Sequence, residues 1–304
     1  PLFLLRKMIL SSSTAERKAV LGQLFPFMKR DIKATLEAMD GLPVTFRLLD
    51  PPLHEFIPHS QGNREDLARA LGIDAKEVDK RSEALKESNP MMGHRGVRLG
   101  VTYPEISETQ IRAIFESAAE LLQAGKAPKP EIMIPVTCDV RELTYCKTII
   151  DKVCADVLAR YHLKALDYHI GTMIEIPRAA LLADKMATVA EFFSFGTNDL
   201  TQMTFGFSRD DTGSFMNDYL EKRIIDADPF QTIDQDGVGM LIELAAQRGR
   251  KTRPDIKIGI CGEQGGDPES VAFCFRQGLT YVSCSPFRVP IARVAAAHAA
   301  IRQA

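Results

Sequence analysis

The chain predicts an α/β fold, a (β/α)8 barrel of the TIM type whose first strand lies upstream of residue 1. Three observations carry this. Short runs that read as strands recur at 44–49, 96–101, 131–136, 171–176, 192–196, 256–261 and 281–284. Helical patterns lie between nearly all of them, notably at 108–123, 141–159, 237–248 and 268–277. Strands alternating with helices imply parallel strands covered by helices. Charged and small polar residues gather at the carboxyl ends of the apolar runs, the face where barrel enzymes carry their chemistry. Seven strands are one short of eight, and a helix opens the chain where a first strand is due. The expectation is one domain over 1–304, with a leading helical segment at 1–40 and strands two to eight over 41–304.

Taken in order, residues 1–39 read as helical, with Ser13 or Thr14 as the N-cap of AERKAVLGQL. Gly41 and Pro43 break the pattern before VTFRLL, residues 44–49. In that strand Thr45 and Arg47 share one face, Phe46 and Leu48 the other. The following DPPLHEFIPH reads as a rigid polar loop outside the core. Helices are expected around 64–71 and 75–88, and the longest irregular stretch runs over 208–236.

Composition removes several function classes. A formal net charge of −2 gives no basic footprint for nucleic acid. No apolar run reaches the length that spans a bilayer. Six cysteines without a CxxC pair make neither a disulfide framework nor a zinc site. They read as thiols of a reducing cytoplasm, with Cys146 and Cys154 on one helix face. The histidines do not cluster at metal-ligand spacing.

The chemistry centres on FFSFGTNDLTQ, residues 192–202. A buried strand ends at Gly196 and sets out Thr197, Asn198 and Asp199 before a helix. Asp199 suits a hard cation and Asn198 an oxygen of its ligand; an N-cap is the competing reading. Arg47 within a strand and Glu175 in GTMIEIP each call for a partner of opposite charge, because an unpaired buried charge is costly. Either alone fits a structural ion pair. Together, Arg47, Arg95, Glu175, Asn198, Asp199 and Cys261 fall at strand ends that would crowd one barrel mouth. Two carboxylates, Glu175 and Asp199, suit Mg²⁺. Arginines beside such an ion suit a phosphate or carboxylate. Arg209 either adds a carboxylate contact or is a solvated loop residue. Cys261 lies in KIGICGE between glycines; a thiol of ordinary pKa, about 8.5, can serve as proton donor or nucleophile. Cys284 in YVSCSPF is its rival, and a buried strand thiol is the plain alternative.

The segments VTFRLLDPPLHEFIP, NPMMGHRGVRLG, GTMIEIPRA, FFSFGTNDLTQ, GICGEQGGDPES and YVSCSPFRVPIARVAAA resemble, in order, the C-terminal domain of the dikinase branch of the phosphoenolpyruvate-utilising enzymes. The resemblance implies a (β/α)8 barrel that binds pyruvate or phosphoenolpyruvate. A phosphohistidine on a separate domain exchanges its phosphoryl group with the enolate of pyruvate, within the cycle ATP + pyruvate + phosphate = AMP + phosphoenolpyruvate + diphosphate. It further implies Glu175 and Asp199 as Mg²⁺ ligands, and Arg47 and Arg95 on the phosphoryl group and enolate oxygen. Gly196, Thr197, Asn198 and Asp199 would contact substrate, Arg209 the carboxylate, and Cys261 the methyl proton. A homodimer built through this domain is implied as well, in the cytoplasm or, in a plant, a plastid. The family's upstream substrate arginine, its ATP-binding domain and its phosphohistidine domain have no counterpart within these residues. The expectation is therefore the pyruvate half-reaction alone. Two other readings are a metal-dependent enolate lyase and a non-catalytic pyruvate-binding or dimerisation module. Arg47 and Arg95 favour transfer chemistry over the lyase.

Overall fold

The computed structural model describes residues 2–50 and 61–303, so the segment PPLHEFIPHS at 51–60 lies outside the described residues. The elements in order are α1 (Leu2–Ile9), α2 (Thr14–Ala38), β1 (Pro43–Arg47), α3 (Gln61–Leu71), α4 (Ala75–Ala84), α5 (Val97–Thr102), α6 (Pro104–Gln123), β2 (Lys129–Ile134) and α7 (Val140–Tyr161). Then follow β3 (His169–Ile174), α8 (Pro177–Leu181), α9 (Ala183–Met186), β4 (Phe192–Gly196), α10 (Thr197–Phe205), α11 (Met216–Glu221), α12 (Val238–Thr252), β5 (Lys257–Cys261), α13 (Pro268–Arg276), β6 (Tyr281–Val282) and α14 (Val289–Gln303). The fold is α/β, and the strand pairs described are all parallel. The chain divides into two compact units, one of Pro1–Ile134 with Thr144–His169, the other of Pro135–Leu143 with Ile170–Ala304.

In the first unit β1 pairs with β2, placing Thr45 level with Glu131 and Arg47 level with Met133. The expected period of two holds: Thr45 and Arg47 are exposed, Phe46 half-buried and Leu48 buried. Helix α2 starts as expected, with the Ser13 hydroxyl accepting the Glu16 amide at 3.2 Å and Glu16 accepting the Ser12 amide at 2.7 Å. Its Val20, Leu21 and Leu24 close a core with Met8, Leu99 and Ile106. An ionic seam lies along α2 and α6: Lys29 bridges Glu116 at 2.8 Å and Glu120 at 2.6 Å, and Lys33 reaches Glu120 at 2.8 Å. Arg160 of α7 joins Glu116 at 2.8 Å.

Burial pushes the Glu120 carboxyl up, but hydrogen bonds from Lys29 and Lys33 outweigh it and hold it down to about 2, against an ordinary 4.5. A carboxylate depressed by folding stabilises above its unfolded pKa and loses that contribution as pH falls through its folded one. Urea unfolding should therefore show Glu120→Gln less stable than wild type at pH 7, with the gap closing between pH 4.5 and 2. A gap that stays constant with pH would remove the seam from the account.

The expected strand at 96–101 is a helix. Gly96 takes a left-handed φ of 56° and its carbonyl accepts the Gly100 amide at 3.2 Å, starting the turn of α5. Val97, Leu99 and Gly100 are buried. Six alternating residues carry too little periodicity to separate a strand from a short buried helix. The stretch 208–236 is less irregular than expected. It holds α11, and Phe207, Phe215 and Tyr219 make a mutual edge-to-face cluster with centroids 5.0–5.9 Å apart.

In the second unit β3 pairs with β4, β4 with β5 and β5 with β6. Every residue of β4 is buried, as a strand covered on both faces requires. Cys146 and Cys154 are both buried on α7, as expected. Among the described residues no helix is long and apolar enough to cross a membrane.

Candidate functional site

Parallel register aligns the carboxyl ends of three strands in the second unit. Ile174 of β3 is level with Phe195 of β4, so Glu175, one residue on, stands beside Gly196; Gly196 in turn is level with Cys261 of β5. A carboxylate, a glycine and a thiol thus occupy one row across adjacent strand ends. The glycine is required there: a Cβ on Gly196 would collide with a Glu175 carboxylate oxygen and approach the Met173 methyl to 2.7 Å. The Glu175 carboxyl lies where a side chain at position 196 would have to be.

Glu175 is fully buried. Its Oε1 accepts the Val136 amide at 2.6 Å. That amide is aimed by an unusual backbone, since Val136 adopts φ 58°, a strained setting for a β-branched residue. The next residue anchors the turn: the hydroxyls of Thr137 and Thr172 lie 2.6 Å apart, both fully buried. Arg178 fastens the same segment through the Cys138 carbonyl and Asp139, at 3.2 Å to the carboxylate.

After Gly196 the chain enters α10, which places Thr197, Asn198 and Asp199 in its first turn, where a carboxylate is favoured by the helix dipole. Asp199 and Asn198 are half-buried and Thr197 fully buried. The competing reading of these three as caps does not hold, because Gly196 occupies the cap position and no side chain caps the helix. The Thr197 hydroxyl donates to Gln264 Oε1 at 2.6 Å and approaches the Cys261 carbonyl at 3.1 Å. Asn198 Oδ1 accepts the Glu263 amide at 3.4 Å. Cys261 is half-buried. It precedes Gly262, whose φ of 124° only glycine adopts with ease and whose Cβ would lie 2.6 Å from Thr197 Oγ1. Arg209 is exposed beyond α10, its amide held by Gln202 Oε1 at 3.0 Å.

The first unit brings Arg47 and Arg95 onto one carboxylate. Arg95 grips Asp50 with two nitrogens, at 2.9 Å and 2.5 Å, and both side chains are buried. Arg47, half-exposed, stands 3.9 Å from Asp50. Asp50 opens the loop expected outside the core, yet its carboxyl is fully buried. Gln110 of α6 holds the end of β1 on both sides, accepting the Leu49 amide at 2.8 Å and donating to the Arg47 carbonyl at 2.9 Å.

The second unit offers, on Glu175 and Asp199, the oxygen donors that a hard divalent cation takes. Glu175 and Asp199 offer carboxylate oxygens, and Glu175 lies desolvated in the cradle that Gly196 leaves. Among the described residues no group of three or more His, Cys, Asp or Glu gathers at metal-binding range. Two carboxylates completed by water and substrate oxygens is the Mg²⁺ pattern rather than the zinc one. Gly196→Ala should lower Mg²⁺ affinity more than about tenfold, an effect expected of disturbing a ligand's setting, which titration calorimetry would read. Unchanged affinity in a folded variant would contradict the cradle.

Residues 3–301 match the family described as PEP-utilising enzyme, PEP-binding domain. The chain is 55% identical over 298 residues to the pyruvate, phosphate dikinase of Clostridium symbiosum, covering 98% of this chain and 34% of that protein. It is 54% identical to the pyruvate, phosphate dikinase 1, chloroplastic, of Arabidopsis thaliana, covering 97% of this chain and 31% of the plant protein. It is 54% identical to the pyruvate, phosphate dikinase of Rhizobium meliloti, covering 98% and 33%. The chain spans about a third of the length of these relatives. A match over nearly the whole chain, on a fold whose strand ends align Glu175, Gly196 and Cys261, makes this a member of the PEP-utilising enzymes, specifically of their PEP-binding domain.

Proposed function

We propose that this chain carries the pyruvate half-reaction of a pyruvate, phosphate dikinase, on a (β/α)8 barrel. The observation that supports it most is the row of Glu175, Gly196 and Cys261 on adjacent strand ends, a buried carboxylate and a thiol with a glycine between them. In the direction of phosphoenolpyruvate, Cys261 as thiolate takes a proton from the methyl carbon of pyruvate. The C–H pair becomes the enolate double bond, and the enolate oxygen attacks the phosphorus of a phosphohistidine from another domain. The P–N bond breaks and its electron pair returns to the imidazole. In reverse the Cys261 thiol protonates the methylene carbon.

Glu175 and Asp199 would hold Mg²⁺, which when bound supplies positive charge opposite the oxygen that gains charge as the proton leaves. Thr197 and Asn198 orient the substrate, and Arg209 is assigned to its carboxylate. Arg47 and Arg95 are assigned to the phosphoryl group and enolate oxygen, for which a guanidinium fork is suited. Homodimerisation through this domain and a location in the cytoplasm or a plastid belong to the same reading.

The test uses the full-length protein with labelled phosphate on its histidine. Adding pyruvate and Mg²⁺ should move the label to phosphoenolpyruvate. Release of pyruvate from a larger substrate without a phosphohistidine would mean a lyase, and binding without turnover a non-catalytic module.

A further inference from the structure

Gln264 is a fully buried glutamine three residues beyond Cys261, and no step above uses it. Its Nε2 donates to the Pro229 carbonyl at 3.0 Å, and its Oε1 accepts the Thr197 hydroxyl at 2.6 Å. Because a carbonyl only accepts, the first bond fixes which way the amide faces. Thr197 must then donate to Gln264, and the Cys261 carbonyl, also an acceptor, draws on the same proton, so the hydroxyl has none left for a further group and its oxygen is left to accept. The same hydroxyl lies 3.1 Å from the Cys261 carbonyl. The turn that follows Cys261 has further ties, with the Glu263 carbonyl accepting from Arg288 at 3.0 Å and the Gly265 amide donating to the Gly262 carbonyl at 3.1 Å. Gln264 joins this turn both to Thr197 and, through Pro229, to the 225–236 segment. Gly262 allows the close approach here, because its Cβ would lie 2.6 Å from Thr197 Oγ1, 3.3 Å from Asn198 Oδ1 and 3.4 Å from Gln264 Oε1. Three side-chain oxygens therefore surround the position next to Cys261 where Gly262 carries no side chain.

We propose that Gln264 is a positioning residue for proton transfer: its amide seats the turn after Cys261 on Thr197 and, with the Cys261 carbonyl, engages the Thr197 proton, so that toward any further group Thr197 Oγ1 can only accept. The proposal rests on the reading that Cys261 moves the methyl proton. It requires Gln264 to act on the proton-transfer end of the site and not on the Glu175–Asp199 end.

The experiment follows methyl-proton exchange of pyruvate in D₂O by NMR, in the full-length enzyme with Mg²⁺, alongside calorimetric titration with oxalate. Gln264→Leu removes both hydrogen bonds at similar volume. Exchange should fall about ten- to a hundredfold, the scale of a misplaced reacting group, with oxalate affinity within about threefold of wild type. Gln264→Glu supplies a readout that a packing role would not move. Protonated, the introduced carboxyl group has the same donor and acceptor pair as the amide; ionised, it has no proton for Pro229. The exchange rate of this variant relative to wild type at the same pH should therefore fall as pH rises. A folded Gln264→Leu protein exchanging within about twofold of wild type, an equal loss of exchange and affinity, or a Gln264→Glu ratio flat with pH would each overturn the proposal. Cys261→Ala in the same assay separates the two claims. If it too exchanges at the wild-type rate, the Cys261 reading fails and this one with it. If it is slow while Gln264→Leu is not, only the role of Gln264 fails.

Discussion

Glu175→Gln in the full-length enzyme is expected to lower Mg²⁺-dependent methyl-proton exchange of pyruvate by more than about a hundredfold. Disturbing a residue behind a metal ligand already costs about 10–100-fold, and in the proposed function Glu175 is itself a ligand. Glutamine keeps the shape and can still accept the Val136 amide, which holds Glu175 Oε1 at 2.6 Å. What it removes is the negative charge at a position with no solvent exposure. Folding stability should hold or rise, because a buried carboxylate carries a desolvation cost that a neutral amide largely avoids. A loss of activity matched by a loss of stability would point to a structural ion pair instead. Wild-type exchange would remove Glu175 from the site.

Cys261→Ala should slow the same exchange by about 10²–10⁴-fold, the usual worth of a positioned acid or base. Calorimetric affinity for oxalate, which has no methyl proton, should remain close to wild type. The split follows from where the thiol sits: half-buried at the end of β5, level with Gly196, with its carbonyl 3.1 Å from the Thr197 hydroxyl. Cys284→Ala, the rival thiol, should leave exchange unchanged. The opposite pattern would transfer the role to Cys284.

Glu175 and Cys261 stood out in the sequence as candidates, Glu175 because a charge at the end of an apolar strand has no packing reason to be there, Cys261 because its KIGICGE setting leaves the backbone open to approach. Arg47 was legible from the period of two in β1. The 96–101 strand was misread because six alternating residues do not encode whether Gly96 turns left-handed. Helix α14 gave little signal, since it buries Ala292, Ala295 and Ala299 while exposing Ile291, Val294 and Ile301, and so is apolar on both sides. The partner of Arg95 was hidden by distance along the chain: Asp50 is 45 residues away. Val136 left no mark either, because a β-branched residue argues against the φ of 58° it adopts. Its amide matters, and an amide has no letter in a sequence.

The central claim is that the carboxyl groups of Glu175 and Asp199 share one divalent ion at the end of the strand row. The most direct measurement is a crystal structure of the full-length enzyme with Mn²⁺ and oxalate, read by anomalous scattering. The account predicts one peak within about 2.0–2.3 Å of an oxygen of each residue, at bonding distances for a small hard cation. A peak bound by only one of the two carboxylates, or lying away from both, would contradict it.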